Sequence, residues 1–320
     1  MSRQNKVGIM NLFPDVKHFV DKVNSEGAYF DWNAVARAMP LGTNKTVHQV
    51  ILPQGVVKVK VFDVAGEENR LKQLLIHIPG SSFVQYCLDA HDYACSAIAL
   101  QSGFRVIMIE PRIAQAPHQV NDVAGVVRSL IACSHQWKVK PAGVVLSGYS
   151  SGANLALSAW LDLRDQGFSD LDAITHLILL SGTYDLTMSA ADASQQLYTQ
   201  RYRSYEEHDI FVDTIFDRMY DIYLPQGMKR DHPFVSPYFR DLTGLPAVDL
   251  VVTEYDGVRH QTHQLADKLA YNQQVHQLTI VPGKTHSFFI AEALMHCGVD
   301  PADLVVSLLA QRAAVMPSGV

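Results

Sequence analysis

The segment GYSSGANLA, from Gly148 to Ala156, directly follows the apolar run VVLS and opens a helix-forming sequence. The pattern G-x-S-x-G is typical of a sharp turn between a strand and a helix, with the serine at its apex. It predicts that Ser150 is presented as a nucleophile. Ordinary glycine turns also carry this pattern, so the surrounding sequence has to support the interpretation.

Short apolar runs rich in β-branched residues recur along the chain, with helix-forming stretches between them. The runs are VVKVKVF from Val56, QLLIHIP from Gln73, RVIMIE from Arg105, AGVVLSG from Ala142, HLILLSG from His176, VDLVVTE from Val248 and QLTIVPG from Gln277. Helices are predicted at 91–103, 119–134, 151–167 and 263–273. This alternation predicts an α/β fold with a mostly parallel sheet covered by helices on both faces. The Val56 run alternates valines with Lys58 and Lys60, which favours an antiparallel edge strand.

Two regions interrupt the alternation of strands and helices. Residues 1 to about 45 precede the first predicted strand, and residues 186–232 separate two strands. Within the second region, four apolar residues spaced by four share one side of a helix, namely Phe211, Ile215, Met219 and Tyr223. Insertions of this length between consecutive strands are commonly lids over a site, although such a helix also packs on cores.

The bulk properties describe an ordinary globular chain. It has 320 residues, 48% hydrophobic and 18% charged, with a net charge of −6 and no run of Lys or Arg that would follow a phosphate backbone. No stretch approaches 18 consecutive apolar residues, and Pro14 interrupts any signal-peptide pattern. We therefore expect no nucleic-acid partner, no membrane insertion and a cytoplasmic location. The four cysteines show no C-x-x-C spacing and are expected to be reduced, namely Cys87, Cys95, Cys133 and Cys297.

A serine nucleophile requires a base within hydrogen-bond reach and a third group that orients the base. His286, in VPGKTHSFF, follows the last strand-like run, and Asp256, in VVTEYDGVRHQ, follows the preceding one. Both lie at carboxyl ends of strands, where open α/β sheets form their ligand crevice. Asp185 and Glu254 are the alternative acids, because they also lie near strand ends.

Attack on a carbonyl group also requires backbone amides that stabilise the oxyanion, each contributing about 3 kcal/mol. One such amide belongs to Ser151, the residue after the nucleophile. The others are expected in the loop that follows an early strand, IHIPGSSFV.

These segments together resemble the hormone-sensitive-lipase-like branch of the α/β hydrolases. The matching motifs are PGSSF (Pro79 to Phe83), PRIAQAP (Pro111 to Pro117), GYSSGANLA, SPYFRDLTGLPA (Ser236 to Ala247), DGVRHQ (Asp256 to Gln261) and HSF (His286 to Phe288). They are similar to the family's HGGGF, YRLAPE, GDSAGGNLA, SPLxxDLxGLPP, DPLRD and HGF, in that order. The match extends over most of the chain from about His48 onward.

The resemblance implies an α/β-hydrolase catalytic domain at 46–320 and a helical cap formed by residues 1–45 and the insertion at 186–232. It implies hydrolysis of carboxylic esters without a cofactor, with Ser150 as nucleophile, Asp256 as orienting acid and His286 as base. The glycines of HGGG that carry oxyanion donors correspond to Ser81 and Ser82. The chain departs from the family where HGGG is PGSS, where Tyr149 and Ser151 flank the elbow serine, and where His260 replaces an aspartate.

Two other patterns carry less weight. His260 and His263 have a spacing that suits a metal ion, but no H-E-x-x-H or cysteine partner accompanies them. No P-loop and no G-x-G-x-x-G follows the first strand. No metal or cofactor is therefore predicted.

The leading hypothesis is a serine esterase that acts on small, short-chain acyl esters, with a small-molecule substrate. An amidase, formamidase or small-peptide hydrolase using the same three residues is the alternative. A ligand-binding protein on a hydrolase scaffold is a further alternative, which the PGSS loop motivates. By resemblance, the chain is expected to be a monomer or a homodimer.

Overall fold

A computed structural model describes residues 39–84, 88–188, 217–286, 288–289 and 300–315. The predicted cap segments, 1–45 and 186–232, lie mostly outside these ranges, as do Phe211 and Ile215. The helical cap therefore stays a prediction.

Eight strands form one sheet. They are β1 (Thr43–Leu52), β2 (Gly55–Val64), β3 (Leu74–Ile78), β4 (Arg105–Glu110), β5 (Val144–Tyr149), β6 (Ile174–Leu180), β7 (Ala247–Tyr255) and β8 (His276–Thr285), in the spatial order β1-β2-β4-β3-β5-β6-β7-β8. The β1–β2 and β2–β4 pairs are antiparallel, and all later pairs are parallel. The prediction of a mostly parallel sheet is confirmed.

The Val56 run is antiparallel, as expected, but it is not the edge strand. It forms β2, and β1 pairs with its outer side to become the edge strand of the sheet. Strand β1 was not predicted, because its sequence, TNKTVHQVIL, is polar over most of its length. Only Val50 and Leu52 of this strand are buried, as is usual for an edge strand with one face in water.

Five helices with defined bounds pack against the sheet. They are α1 (Leu88–Ser102), α2 (His118–Ala132), α3 (Ser151–Asp165), α4 (Arg259–Tyr271) and α5 (Pro301–Val315). Two separate apolar cores show which face each helix covers. The first contains residues of α2, α3 and α4 with Leu74 and Ile76 of β3, and the second contains residues of α1 and α5 with Leu75. Because neighbouring residues of a strand point to opposite faces, the helices cover both faces of the sheet, as predicted.

Helix α5, to which the sequence analysis assigned no element, is tied to the sheet by a buried ion pair. Arg312 Nη2 donates to Asp249 Oδ1 (2.6 Å), and Asp249 Oδ2 lies 2.6 Å from His176 Nε2. Burial by itself would raise the pKa of Asp249, but hydrogen bonds from His176 and Arg312 outweigh it and lower this pKa. This His–Asp contact lies near the start of β6 and β7, at the end of the sheet opposite Ser150.

The strand direction brings four chain segments to one edge of the sheet. Strands β3, β5, β7 and β8 run parallel, so their carboxyl ends lie together. The residues that follow these ends include Pro79, Ser150, Asp256 and His286. The fold therefore gathers the predicted site residues where α/β sheets form their ligand crevice. No helix in the described ranges is both long and apolar enough to cross a membrane.

Candidate active site

Ser150 forms the turn between β5 and α3. Its backbone has φ 54° and ψ −124°, a conformation that non-glycine residues rarely adopt and that costs about 1–3 kcal/mol. Neighbouring hydrogen bonds hold the turn, because the Ser150 amide donates to the Leu180 carbonyl (2.8 Å) and its own carbonyl accepts from the Ala153 amide (3.0 Å). Such strain, enforced by the surroundings, is typical of the nucleophile turn that the motif predicts.

The two glycines of GYSSG are required by close backbone contacts. A Cβ atom on Gly148 would lie 2.2 Å from the Gly152 carbonyl oxygen, and one on Gly152 would lie 2.2 Å from the Ile78 carbonyl oxygen. Helix α3 thus begins in direct contact with both its own strand and the end of β3. The absence of side chains at these positions lets the turn be sharp.

Gly152→Ala is expected to lower the free energy of unfolding by about 3 kcal/mol, because the new methyl group meets backbone that cannot move without shifting β3. Gly66→Ala is a matched control, since Gly66 has φ +83° but no atom within 4 Å of an added Cβ. The control should lose only about 1 kcal/mol from backbone strain. Urea unfolding of both variants measures the difference. Equal losses would show that the close contact at Gly152 is unimportant.

The structure brings the three predicted residues together. Ser150 Oγ lies 3.0 Å from His286 Nε2, and His286 Nδ1 lies 2.8 Å from Asp256 Oδ1. An ionised carboxylate only accepts hydrogen bonds, so Nδ1 carries the proton and Nε2 presents a lone pair to the serine hydroxyl. This is the arrangement in which an imidazole removes the proton of a serine during attack.

The two alternative acids have other partners. Asp185 Oδ1 accepts hydrogen bonds from the Thr187 amide (2.9 Å) and hydroxyl (2.5 Å). Glu254 Oε2 accepts a hydrogen bond from the Gly283 amide (2.8 Å). Both carboxylates thus satisfy nearby donors, whereas Asp256 faces the imidazole.

Tyr149 connects the nucleophile turn to His286. Its hydroxyl donates to the His286 carbonyl (2.6 Å), and the two rings stack with centroids 5.6 Å apart. Asp256 Oδ1 also accepts from the Val258 amide (3.0 Å) at the start of α4. The Asp256 carboxylate is therefore held by a backbone amide and the His286 backbone by the Tyr149 hydroxyl, in addition to the contact between the two side chains.

The loop that follows β3, residues 79–84, is called the oxyanion loop below. Its residues Ser82 and Phe83 have φ values of 45° and 66°. The amides of Ser82 and Ser151 donate to no acceptor within the described part of the chain. Both amides were predicted as oxyanion donors, and that role stays a prediction.

Ser81 differs from this expectation. Its amide donates to the Ser151 hydroxyl (2.8 Å), and the two serine hydroxyl oxygens lie 3.1 Å apart. The side chain at position 151 therefore occupies the amide that was predicted as a third oxyanion donor. The sequence could not show this, because the contact joins residues that are 70 positions apart.

Side chains from three helices hold the oxyanion loop. The Gly80 amide donates to His91 Nε2 of α1 (3.2 Å), Gln119 Nε2 of α2 donates to the Phe83 carbonyl (2.6 Å), and Ser151 of α3 binds Ser81. Sequence reasoning missed His91 and Gln119, because nothing in α1 or α2 distinguishes them from ordinary helical residues.

The helical segment 217–223, the described part of the predicted cap insertion, packs on this loop. Phe83 stacks on Tyr223, with centroids 4.1 Å apart and an interplanar angle of 11°, and meets Tyr220 edge-on at 6.1 Å. Met219, Tyr220 and Tyr223 are all buried. The two described residues of the predicted apolar side, Met219 and Tyr223, are therefore buried, and Tyr223 also contacts the oxyanion loop.

The two histidines considered for a metal ion have other surroundings. His263 Nε2 accepts a hydrogen bond from Arg259 Nε (3.2 Å). Burial lowers the pKa of His260. In the residues that the structure describes, no group of three His, Cys, Asp or Glu side chains is arranged to hold a metal ion.

Comparisons with known proteins agree with this architecture. A family model of the alpha/beta hydrolase fold matches residues 75–290. An esterase of Acinetobacter venetianus is 29% identical over 196 residues, which cover 59% of this chain and 59% of the relative. The match thus spans less than two thirds of that relative. An acetyl esterase of Salmonella typhi is 25% identical over 268 residues, covering 82% of this chain and 78% of the relative.

Solved structures resemble the fold over nearly the whole chain. An esterase of Pyrobaculum calidifontis has a TM-score of 0.78 at 19% identity, covering 95% of this chain and 96% of that one. A thermostable carboxylesterase cloned from a metagenomic library has a TM-score of 0.74 at 19% identity, covering 94% of this chain and 98% of that one.

Proposed function

The chain belongs to the hormone-sensitive-lipase-like branch of the α/β hydrolases, and from this premise we propose that it is a serine carboxylesterase acting on small, short-chain acyl esters. The observation that carries the proposal is the chain of contacts from Ser150 through His286 to Asp256. A ligand-binding protein on the same scaffold would have no need of this arrangement. The names of the relatives, esterase and acetyl esterase, support the same chemistry.

In the first half of the reaction, Ser150 Oγ attacks the ester carbonyl while His286 Nε2 takes the hydroxyl proton. Asp256 stabilises the imidazolium that forms and keeps the ring in the required orientation. The amides of Ser82 and Ser151 donate to the carbonyl oxygen as it becomes negative. His286 then protonates the departing alcohol, leaving an acyl group on Ser150.

In the second half, the same imidazole removes a proton from water, which attacks the acyl group. The amides that stabilised the first oxyanion stabilise the second. Collapse of this intermediate returns the proton to Ser150 and releases the carboxylic acid. No cofactor enters either half of this scheme.

The proposed preference for short acyl groups rests on the aromatic residues beside the oxyanion loop. Phe83 packs against both Tyr220 and Tyr223, and all three side chains are buried. We propose that these rings border the acyl site, where they would take up volume that a long acyl chain requires; misfit in an apolar pocket costs about 1–3 kcal/mol per methylene. The name of the Salmonella relative, acetyl esterase, favours the same preference.

Hydrolysis of p-nitrophenyl esters from acetate to decanoate tests the proposal. We expect kcat/KM to peak at acetate or butyrate and to be at least about tenfold lower for decanoate. The p-nitroanilides of the same carboxylic acids form the second series. Equal rates on esters and anilides would favour the amidase alternative, and a peak at decanoate would contradict the proposed acyl preference.

A further inference from the structure

Two histidines lie buried beneath the oxyanion loop. His77, in β3, is 1% exposed, and His91, in α1, is 0% exposed. His77 Nε2 lies 3.0 Å from His91 Nδ1, and His77 Nδ1 lies 3.2 Å from the Ser147 hydroxyl oxygen. At the other end of the pair, the Gly80 amide donates to His91 Nε2. The pair thus links strand β5 to the oxyanion loop.

The direction of these hydrogen bonds is fixed by chemistry. A backbone amide can only donate, so His91 Nε2 must carry a lone pair, and the proton of the neutral ring is on Nδ1. That proton is donated to His77 Nε2, which leaves the proton of His77 on Nδ1, facing Ser147. Both rings therefore have the Nδ1–H tautomer.

Burial keeps both rings uncharged. It lowers the pKa of His77 to about 3. Burial also places the pKa of His91 well below its usual value, with further lowering from His77 and from the ammonium of Lys60. A protonated His91 would lose the lone pair that accepts from Gly80, so the neutral state is the one that holds the loop.

We propose that His91, held in its tautomer by His77, is a positioning residue for the oxyanion loop. The inference rests on the proposed function, because it assigns to His91 the task of keeping the Ser82 amide in place for the oxyanion. The hydrogen bond from the Gly80 amide to His91 holds the PGSS segment, residues 79–82, from a helix outside this motif.

Gly80 is the point at which this support acts. An added Cβ at Gly80 would lie 2.6 Å from Tyr149 Cδ1, so the backbone passes directly over the tyrosine ring. The Ser81 amide is held by Ser151, and the Phe83 carbonyl is held by Gln119. Among the described residues, His91 is the acceptor of the Gly80 amide, and we expect this hydrogen bond to limit rotation of the loop around the Ser82 peptide.

The same tyrosine ring also contacts His286, so the histidine pair and the site share one packed cluster. Tyr149 lies 5.7 Å from the His91 ring and 5.6 Å from the His286 ring. Phe289 packs against Tyr149 at 5.3 Å and against His91 at 5.6 Å. Two apolar side chains would fill this space but would leave the Gly80 amide and the Ser147 hydroxyl without these partners, and an unsatisfied buried polar group costs about 1–3 kcal/mol.

The test compares His91→Gln with His91→Leu. Glutamine reaches a similar distance and its amide oxygen accepts from the Gly80 amide, whereas leucine fills space without an acceptor. We expect His91→Leu to lower kcat on p-nitrophenyl acetate by at least about tenfold, with KM changed less than about twofold. His91→Gln should retain kcat within about threefold of the unchanged protein. A role in folding alone would not separate the two variants in kcat while sparing KM.

Two NMR measurements test the same inference without turnover. Long-range nitrogen–proton spectra of protein with ¹⁵N-labelled histidine should show both rings as neutral Nδ1–H tautomers at pH 7. The Gly80 amide should exchange with solvent at least about tenfold faster in His91→Leu than in His91→Gln. An Nε2–H tautomer at His91, or equal exchange rates, would overturn the proposal. The tautomer measurement decides the question even if His91→Leu fails to fold, because it uses the unchanged protein.

The controls separate this inference from the proposed function. If the unchanged protein shows turnover that Ser150→Ala abolishes, and His91→Leu keeps full kcat, only the role of His91 is wrong. If the unchanged protein shows no Ser150-dependent turnover, the esterase proposal is wrong, and the NMR results alone decide whether His91 holds the loop.

Discussion

Ser150→Ala is expected to lower kcat on p-nitrophenyl acetate by about 10³–10⁶-fold, because in the proposed mechanism the Ser150 hydroxyl carries the acyl group. The remaining rate should approach what the oxyanion donors and binding supply without a nucleophile. KM should change little, since the Ser150 hydroxyl contributes mainly to the transition state. Steady-state kinetics with p-nitrophenyl acetate measures both parameters.

Ser158→Ala is the matched control for this variant. Ser158 lies on the same helix, α3, is fully buried, and donates to Asn154 Oδ1 (3.2 Å). It should keep kcat within about twofold, because it contacts no group of the proposed reaction. If Ser150→Ala retained more than about one tenth of the rate, the nucleophile would have to be another residue.

Asp256→Asn is expected to lower kcat by about 10³–10⁴-fold. The asparagine amide fits the same space, but its NH₂ group favours an unprotonated Nδ1 on His286. The ring proton would then move to Nε2, where it faces Ser150 and prevents proton removal from the hydroxyl. The variant should fold normally, because the side-chain volume is nearly unchanged.

Asp185→Asn is the control, because Asp185 is the acid that the sequence offered as an alternative. Its carboxylate binds Thr187 rather than the imidazole, so kcat should stay within about threefold. Kinetics of both variants at pH 7 decides between the two acids. A large loss in Asp185→Asn and a small one in Asp256→Asn would reverse the assignment.

The sequence predicts the proximity of Ser150, Asp256 and His286 because one rule connects them. Each follows a strand of a parallel sheet, and the carboxyl ends of such strands meet at one edge. The elbow motif adds the turn at Ser150, and its glycines prove to be in close backbone contact. The roles of these residues in a reaction stay predictions until the variants are measured.

The parts that the sequence does not predict depend on contacts between distant segments. The Ser151 hydroxyl binds the Ser81 amide across 70 positions, so an amide expected to face the substrate is already occupied. His77 and His91 lie in an ordinary strand and an ordinary helix, and only the fold brings them under Gly80. Strand β1 has too few apolar residues for its pattern to indicate a strand.

The serines that replace residues of the family's motifs form hydrogen bonds within the oxyanion loop. Serine hydroxyls at 81 and 151 lie 3.1 Å apart, and the Ser81 hydroxyl also accepts from the Phe83 amide (3.1 Å). The loop therefore gains hydrogen bonds from side chains at positions where the family motif has none. These side-chain hydrogen bonds restrict the backbone of the loop, which would have more conformational freedom with glycine at these positions.

The most direct test of the proposed serine esterase mechanism is to find which residue reacts covalently with an ester-like reagent. The protein is treated with diethyl p-nitrophenyl phosphate, which transfers its phosphoryl group to an activated serine, and the digested peptides are analysed by mass spectrometry. We expect one modified residue, Ser150, with modification in proportion to the loss of p-nitrophenyl acetate turnover. Modification of another residue, or full turnover after complete modification of Ser150, would contradict it.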